Sequence, residues 1–240
     1  EAYRKIRNTF RYLLGNLNDN FSESNSKNLN VRKLPELEQY MLHKMFELNK
    51  NFMNNFESYN FHSLYKELLN FCTVDLSSFY FDIRKDTLYC DSVDSQRRKD
   101  CILVLNTVLD CLLKWFAPIL SFTTEEIFKL LNKSSEESIH LKKFPSIKED
   151  WKNETIKENW NKILKIRDET NSSIEKKREE KLIGSSLEAS VKIYLGKSMF
   201  NFAKDYDFSE ICITSSAEVI QDEKLNDCLL YTSDAADETC

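Results

Sequence analysis

Three arginines and an asparagine near the start of the chain have the chemistry and the spacing of a nucleic-acid contact. These residues are Arg4, Arg7, Asn8 and Arg11. Their intervals of i, i+3, i+4 and i+7 place all four on one face of a helix. A guanidinium group binds a phosphate through paired hydrogen bonds, and an asparagine amide pairs with the edge of a base. The four side chains therefore predict a nucleic-acid-binding face. The alternative is a solvated helix face, which composition alone favours because charged exposed faces are common.

An apolar stripe on the same segment indicates which side of the helix faces the protein core. Apolar residues recur at helical spacing along 1–18, and they are Ile6, Phe10, Leu13, Leu14 and Leu17. A helix with one apolar stripe packs that stripe against the protein core. The first helix is therefore predicted to span 1–18 and to carry its cationic residues on another face.

Composition predicts a mainly α chain with one or two domains. The 240 residues include three glycines and three prolines, so few turns interrupt the helical patterns. The formal net charge of −5 is unevenly distributed, because residues 205–240 hold ten acids and one lysine whereas residues 1–33 hold seven basic and three acidic residues. The body of the chain is therefore mildly basic and can approach a polyanion.

The cysteines and histidines do not form a metal-binding pattern. None of the seven cysteines occurs in a C-x-x-C pair, and the three histidines are scattered. We therefore expect no metal site, and scattered thiols in a helical chain are typical of a reducing, cytosol-like compartment. No apolar run approaches the ~18 residues of a membrane span, and no signal peptide opens the chain. We expect no membrane partner.

Hydrophobic periodicity divides the chain into three segments. They are a helical bundle at 1–146, a module with a long helix and short strands at 147–213, and an acidic tail at 214–240. The predicted fold class is therefore mainly α, with a small α+β module after the bundle. Residues 227–240 resemble translated sequencing-adapter bases, so we expect them to be foreign to the protein and keep them out of the functional argument.

The strands of the module are predicted from alternation. Val191, Ile193 and Leu195 alternate with polar or aromatic residues, which is typical of a strand with one buried face. Ile211 and Ile213 repeat this spacing and predict a second strand.

The segment 70–91 is rich in aromatic residues, hydroxyls and carboxylates, and it predicts a packed helix junction. Asp75 is the candidate N-cap at this junction. A functional alternative is an RNA-facing ledge formed by Arg84 and Lys85. Aromatic residues at helical spacing are usually core residues, so the junction is the stronger hypothesis.

Four motifs in a fixed order carry a resemblance to a known family. They are RKIRNTFR at 4–11 with LGNLN at 14–18, the segment 70–91, WFAPILSFTTEEI at 115–127, and EKLIGSSLEA at 180–189. Together they resemble the C-terminal region of bacterial-type isoleucyl-tRNA synthetases over about residues 1–213. The first motif and the segment 70–91 favour the isoleucyl enzymes over the valyl and leucyl relatives.

The resemblance implies a division of labour between this chain and the rest of a larger enzyme. The whole synthetase joins isoleucine to its tRNA using ATP and Mg²⁺, with catalytic signatures HIGH and KMSKS and a separate editing domain. Neither signature occurs here, so we expect no catalytic residue and no cofactor in this fragment. We likewise expect no zinc module. What the resemblance implies for this chain is the anticodon-binding helical bundle and the start of the C-terminal junction.

The resemblance also implies partners and roles for individual residues. Arg7, Asn8 and Arg11 are expected to contact the anticodon stem-loop, with Arg4 as a peripheral phosphate contact. The expected partners are isoleucine tRNA and the rest of the synthetase chain, in a monomeric enzyme. The expected location is the cytoplasm, with an organelle as the alternative.

Two other function classes stay open at this point. A purely structural bundle would dock on the enzyme body or on a partner protein, and burial of Arg7, Asn8 and Arg11 would favour it. An independent hydrolase has less support, because its candidate carboxylates fit capping and surface charge better and its candidate serines have no histidine nearby in the sequence. Those residues are Asp75, Asp82, Asp86, Ser77 and Ser78.

Overall fold

Helices form most of the structure, and the strands lie in its C-terminal part. The computed structural model describes residues 1–17, 29–132, 137–222 and 230–235, the last range by its backbone alone. The chain divides into two compact units, Glu1–Ile156 and Lys157–Cys240. The strands of the described residues all belong to the second unit. The predicted mainly α fold with a small α+β part is therefore confirmed.

The first unit is a helical bundle. In chain order its helices are α1 (Ala2–Leu17), α2 (Glu36–Glu57), α3 (Phe61–Asn70), α4 (Phe81–Tyr89), α5 (Gln96–Phe116) and α6 (Ser121–Leu131). Single 3₁₀ turns occur at Val31–Lys33, Ile139–Leu141 and Glu149–Trp151. From residue 104 to residue 113 every position of α5 is buried, so α5 is surrounded by the rest of the bundle.

The helix does not break between α3 and α4. Residues Phe71–Tyr80 form a π-helix, so one continuous helical rod runs from α3 into α4. The hydroxyls of Ser77 and Ser78 donate to carbonyls five residues earlier, at 2.8 and 2.9 Å. Asp75 lies inside this segment and pairs with Lys44 at 3.0 Å. The predicted packing of this segment is confirmed, because five of its residues are buried, whereas the N-cap role of Asp75 is wrong, because the wider turn keeps the helix continuous.

A buried ion pair joins α4 to α2. The Arg84 guanidinium donates from Nε and Nη2 to the two carboxylate oxygens of Glu38, at 2.6 and 2.7 Å. Glu38 is 0% exposed and Arg84 is 4% exposed, and the Tyr80 hydroxyl also donates to Glu38 at 3.3 Å. The predicted RNA-facing ledge is therefore wrong for Arg84, because its side chain is turned into the bundle. Lys85, its neighbour, is exposed.

The second unit combines a long helix with a small sheet. The helix α7 (Glu154–Glu179) begins in the first unit, and the elements that follow are β1 (Ala189–Leu195), α8 (Lys197–Ala203), α9 (Phe208–Cys212), β2 (Ser216–Gln221) and β3 (Leu230–Ala235). The strand order is β2-β1-β3, with β1 parallel to β2 and antiparallel to β3. Burial alternates along β1, so one face of the strand contributes to a core. This core includes Ile174, Ile183, Ala189 and Val191.

The predicted β1 is confirmed, but the predicted second strand at Ile211 and Ile213 is wrong. The side chain of Asp207 accepts hydrogen bonds from the amides of Ser209 and Glu210 and so begins α9, which contains Ile211. Ile213 follows in the left-handed conformation with φ 57°, which ends the helix. Paired strands occur later, inside the segment 214–240 that was expected to be a tail, because residues 216–221 pair in parallel with β1.

Candidate nucleic-acid interface

The structure brings all four predicted contact residues to one exposed face of α1. Arg4, Arg7, Asn8 and Arg11 are each exposed, whereas the apolar stripe of the same helix is buried except for the half-buried Leu14. The scaffold hypothesis depended on burial of this face, and the structure gives it no support. We call this surface, made of the four side chains, the arginine face.

The charges of the arginine face are available to a ligand. Among the described residues, no carboxylate lies within ion-pairing distance of Arg4, Arg7 or Arg11. Their neighbour Lys5 differs, because its ammonium group lies 3.4 Å from the carboxylate of Glu1. Guanidinium groups on a rigid helix are suited to bind phosphates where, as with the described part of the chain, no ion pair has to break first.

Buried contacts hold α1 at a fixed orientation. Phe10 packs edge-to-face on Phe116 of α5, with 6.0 Å between the ring centroids. On the other side, Tyr12 stacks on Phe81 at 4.3 Å, and its hydroxyl donates to the Phe81 carbonyl at 3.4 Å. Burial raises the pKa of Tyr12 well above its ordinary value, so this phenol stays a neutral hydrogen-bond donor. The arginine face is therefore mounted on a helix anchored by two neighbouring elements.

Two exposed aromatic residues, at the starts of α1 and α6, were not predicted from the sequence. Tyr3 is 45% exposed, and its hydroxyl forms a hydrogen bond of 3.0 Å with Thr123 at the start of α6. Phe122 precedes Thr123 and is 93% exposed. An aromatic residue near the start of a predicted helix is visible in the sequence at Phe122. Hydrophobic spacing alone does not indicate that its side chain points into solvent.

A second cationic region lines a cleft of about 580 Å³ beside α5. Its lysines are Lys114, Lys142, Lys143 and Lys148. Two of them are already neutralised, because Lys114 pairs with Asp110 and Lys142 pairs with Glu137, each at 2.6 Å. This cleft is therefore a weaker candidate for a polyanion than the arginine face.

The hydrolase alternative receives no support from the geometry. The hydroxyls of Ser77 and Ser78 are engaged with backbone carbonyls of the π-helix. Asp75 is paired with Lys44, and burial raises the pKa of its carboxyl group, whereas Asp82 and Asp86 lie exposed on α4. These groups therefore do not converge on a nucleophile.

Comparison with known protein families decides the class of this bundle. The family described as "Anticodon-binding domain of tRNA ligase" matches residues 38–193, which is more than half of the chain. The chain belongs to this family. The match does not include α1, so it does not by itself assign a role to the arginine face.

Individual relatives agree with this family. The chain is 64% identical over 221 residues to an isoleucine–tRNA ligase from Pelagibacter ubique (strain HTCC1062), covering 92% of this chain and 24% of the relative. It is 42% identical over 224 residues to the isoleucine–tRNA ligase of Agrobacterium fabrum (strain C58 / ATCC 33970), covering 93% of this chain and 23% of the relative. The predicted resemblance to isoleucyl-tRNA synthetases is therefore confirmed. The chain spans about a quarter of the length of these curated relatives.

The described residues also bear on metal sites and on membrane-spanning helices. Within the described ranges, no group of three or more His, Cys, Asp or Glu side chains is placed to hold a metal ion. In the same part of the chain, no helix combines the length and the apolarity needed to cross a bilayer.

Proposed function

We propose that this chain is the tRNA-binding part of an isoleucine–tRNA ligase and that the arginine face contacts the anticodon stem-loop. One observation carries this assignment of the site. Three arginines without carboxylate partners among the described residues project from a helix of an anticodon-binding bundle. The relatives that match nearly the whole chain are named isoleucine–tRNA ligases, which supports isoleucine tRNA as the RNA.

Each residue of the arginine face has a distinct role in this proposal. Arg7 and Arg11 bind backbone phosphates, or a guanine edge where a loop base is turned outward. Asn8 lies at the edge of the face, beside the two arginines, and pairs with the edge of an unstacked base. Arg4, one turn nearer the N-terminus, contacts a phosphate at the periphery.

The remaining parts of the reaction are assigned to the rest of the ligase. There, ATP and Mg²⁺ would supply the energy for joining isoleucine to tRNA, and this chain would hold the tRNA in position. We propose a monomeric enzyme that acts in the cytoplasm, or in an organelle, with the rest of the synthetase chain as the second partner. The isolated chain is expected to bind tRNA weakly, with affinity that falls as salt rises.

The test is a binding measurement with isoleucine tRNA and the variants Arg7→Ala and Arg11→Ala. Loss of one charge-assisted contact should weaken binding about tenfold. Each variant should also lower the slope of log K against log salt by about one. The variant Asn8→Ala should leave this slope unchanged and should reduce discrimination among loop sequences, because it removes an uncharged base contact.

A matched control is Arg178→Ala, since this arginine is exposed and already pairs with Glu175 at 2.6 Å. It should leave binding and its salt dependence close to those of the original chain. Equal affinity for an unrelated tRNA, or full affinity in the variant lacking both Arg7 and Arg11, would contradict the site assignment.

A further inference from the structure

Phe122 is exposed to a degree that the fold does not explain. With 93% of its surface in solvent, it is the most exposed large apolar side chain in the described part of the chain. It lies in the first turn of α6, where the neighbouring Thr124 is fully buried. The ring therefore contributes almost nothing to the core, although burying a phenylalanine is worth about 2 kcal/mol.

A hydrogen bond joins the helix that carries Phe122 to the helix that carries the arginine face. The Tyr3 hydroxyl bonds to Thr123 at 3.0 Å, which ties the start of α1 to the start of α6. Tyr3 lies one helical turn before Arg7, on the same side of α1. Because Phe122 is the residue before Thr123, its backbone lies where the start of α6 meets the start of α1, the helix that carries the arginine face.

We propose that Phe122 is a stacking platform for an unpaired nucleobase of the RNA that the arginine face binds. Proteins that hold single-stranded RNA combine cations, which follow the phosphates, with exposed aromatic rings, on which bases stack. An anticodon loop supplies unpaired bases joined to the phosphates of a stem. The inference rests on the proposed function and adds a residue that binds the base itself.

The charges around Phe122 are compatible with a base and restrict where the phosphates lie. Glu126, one turn along α6, is exposed and repels phosphate. Glu125 is engaged, since it accepts hydrogen bonds from Ser138 and the Ile139 amide and lies 3.3 Å from the Lys129 ammonium group. The neutral base is therefore placed over Phe122, and its backbone is placed toward the arginines of α1.

The experiment uses a hairpin with the isoleucine anticodon arm and 2-aminopurine at one loop position at a time. The fluorescence of this base falls when it stacks. We expect quenching at one loop position on binding of the original chain, and loss of this quenching with Phe122→Ala. The affinity should fall about 5- to 160-fold, which is the range for removal of one base-stacking aromatic.

Two further variants separate stacking from a general apolar contact. Phe122→Trp should keep both the quenching and the affinity, whereas Phe122→Leu keeps an apolar side chain without a π face and should lose the quenching. Val93→Ala is the control, because Val93 is also an exposed apolar residue, with 72% of its surface in solvent. Val93 precedes α5 and Phe122 follows it, so the length of this 21-residue helix, about 31 Å, separates the two positions. Since Phe122 is almost fully exposed, none of its substitutions removes core packing.

The outcomes distinguish this inference from the proposed function. If Arg7→Ala weakens binding but Phe122→Ala and Phe122→Leu bind and quench as the original chain does, stacking is refuted and the proposed function stands. Phe122 would then be free to contact the rest of the synthetase. If the original chain binds no isoleucine tRNA at any salt concentration, both proposals are refuted.

Discussion

Replacing Glu38 by alanine should strongly destabilise the first unit. The substitution removes both carboxylate oxygens that accept hydrogen bonds from Arg84 at 2.6 and 2.7 Å, and the acceptor of the Tyr80 hydroxyl at 3.3 Å. Arg84 remains 4% exposed in the folded state and cannot lose its proton. The variant therefore keeps a buried cation without its counter-charge.

The magnitude follows from the burial of the pair. Removing one partner of a buried ion pair costs about 3–5 kcal/mol, because the other charge is left uncompensated in a medium of low polarity. Small proteins lose about 2 kcal/mol of unfolding free energy per molar urea, so the urea midpoint should fall by about 2 M. The variant Glu1→Ala removes an exposed pair instead, and it should change the unfolding free energy by less than about 1 kcal/mol.

Urea unfolding monitored by circular dichroism measures these changes, and the double variant Glu38→Met with Arg84→Met tests their cause. Apolar side chains of similar length replace both charges, so most of the lost stability should return. A cost below about 1 kcal/mol for Glu38→Ala would refute the claim that the pair is desolvated. A double variant no more stable than the single one would show that the loss comes from packing and not from the orphaned charge.

Two further predictions concern the surface of α1 and the thiols. Gly15→Ala should raise the unfolding free energy by about 0.5–1 kcal/mol in urea unfolding, because none of the described residues lies within 4 Å of the added Cβ and alanine is the better helix former. A destabilised variant would contradict this. Iodoacetamide should label Cys90, which is exposed, far faster than Cys72 and Cys101, since burial raises the pKa of both buried thiols to about 12 and only thiolates react. Peptide mass mapping checks the order, and equal labelling of the three would contradict it.

The sequence predicts best those features that depend on a single helix, such as which residues share one of its faces. The interval rule placed Arg4, Arg7, Asn8 and Arg11 on one surface, and the structure has them exposed together. This succeeds because the faces of a helix follow from 100° per residue and from the apolar stripe opposite. The RNA contact itself stays a prediction.

Contacts between elements were harder to predict. Arginine is usually a surface residue, so the sequence alone does not predict that Arg84 is buried. Its burial depends on Glu38, which lies on another helix and supplies the opposite charge. The prediction of a strand at Ile211 and Ile213 was wrong because Asp207 caps a short helix there. Two apolar residues separated by one other residue are too short a pattern to distinguish a strand from a turn. Phe122 is the opposite case to Arg84, because an aromatic residue is expected in the core and this one is exposed.

The π-helix at Phe71–Tyr80 sets the register between α3 and the contacts made by α4. In the α-helical parts of the rod, deleting one residue turns everything that follows by about 100° and draws it back by about 1.5 Å. Such a deletion within α3 would swing Arg84 away from Glu38 and Phe81 away from Tyr12. Point substitutions in α3 can preserve these contacts, whereas a change of its length cannot. Within Phe71–Tyr80 the loss of one residue is taken up when i→i+5 hydrogen bonds shorten to i→i+4 bonds, so the π-helix is the place where the rod tolerates a change of length.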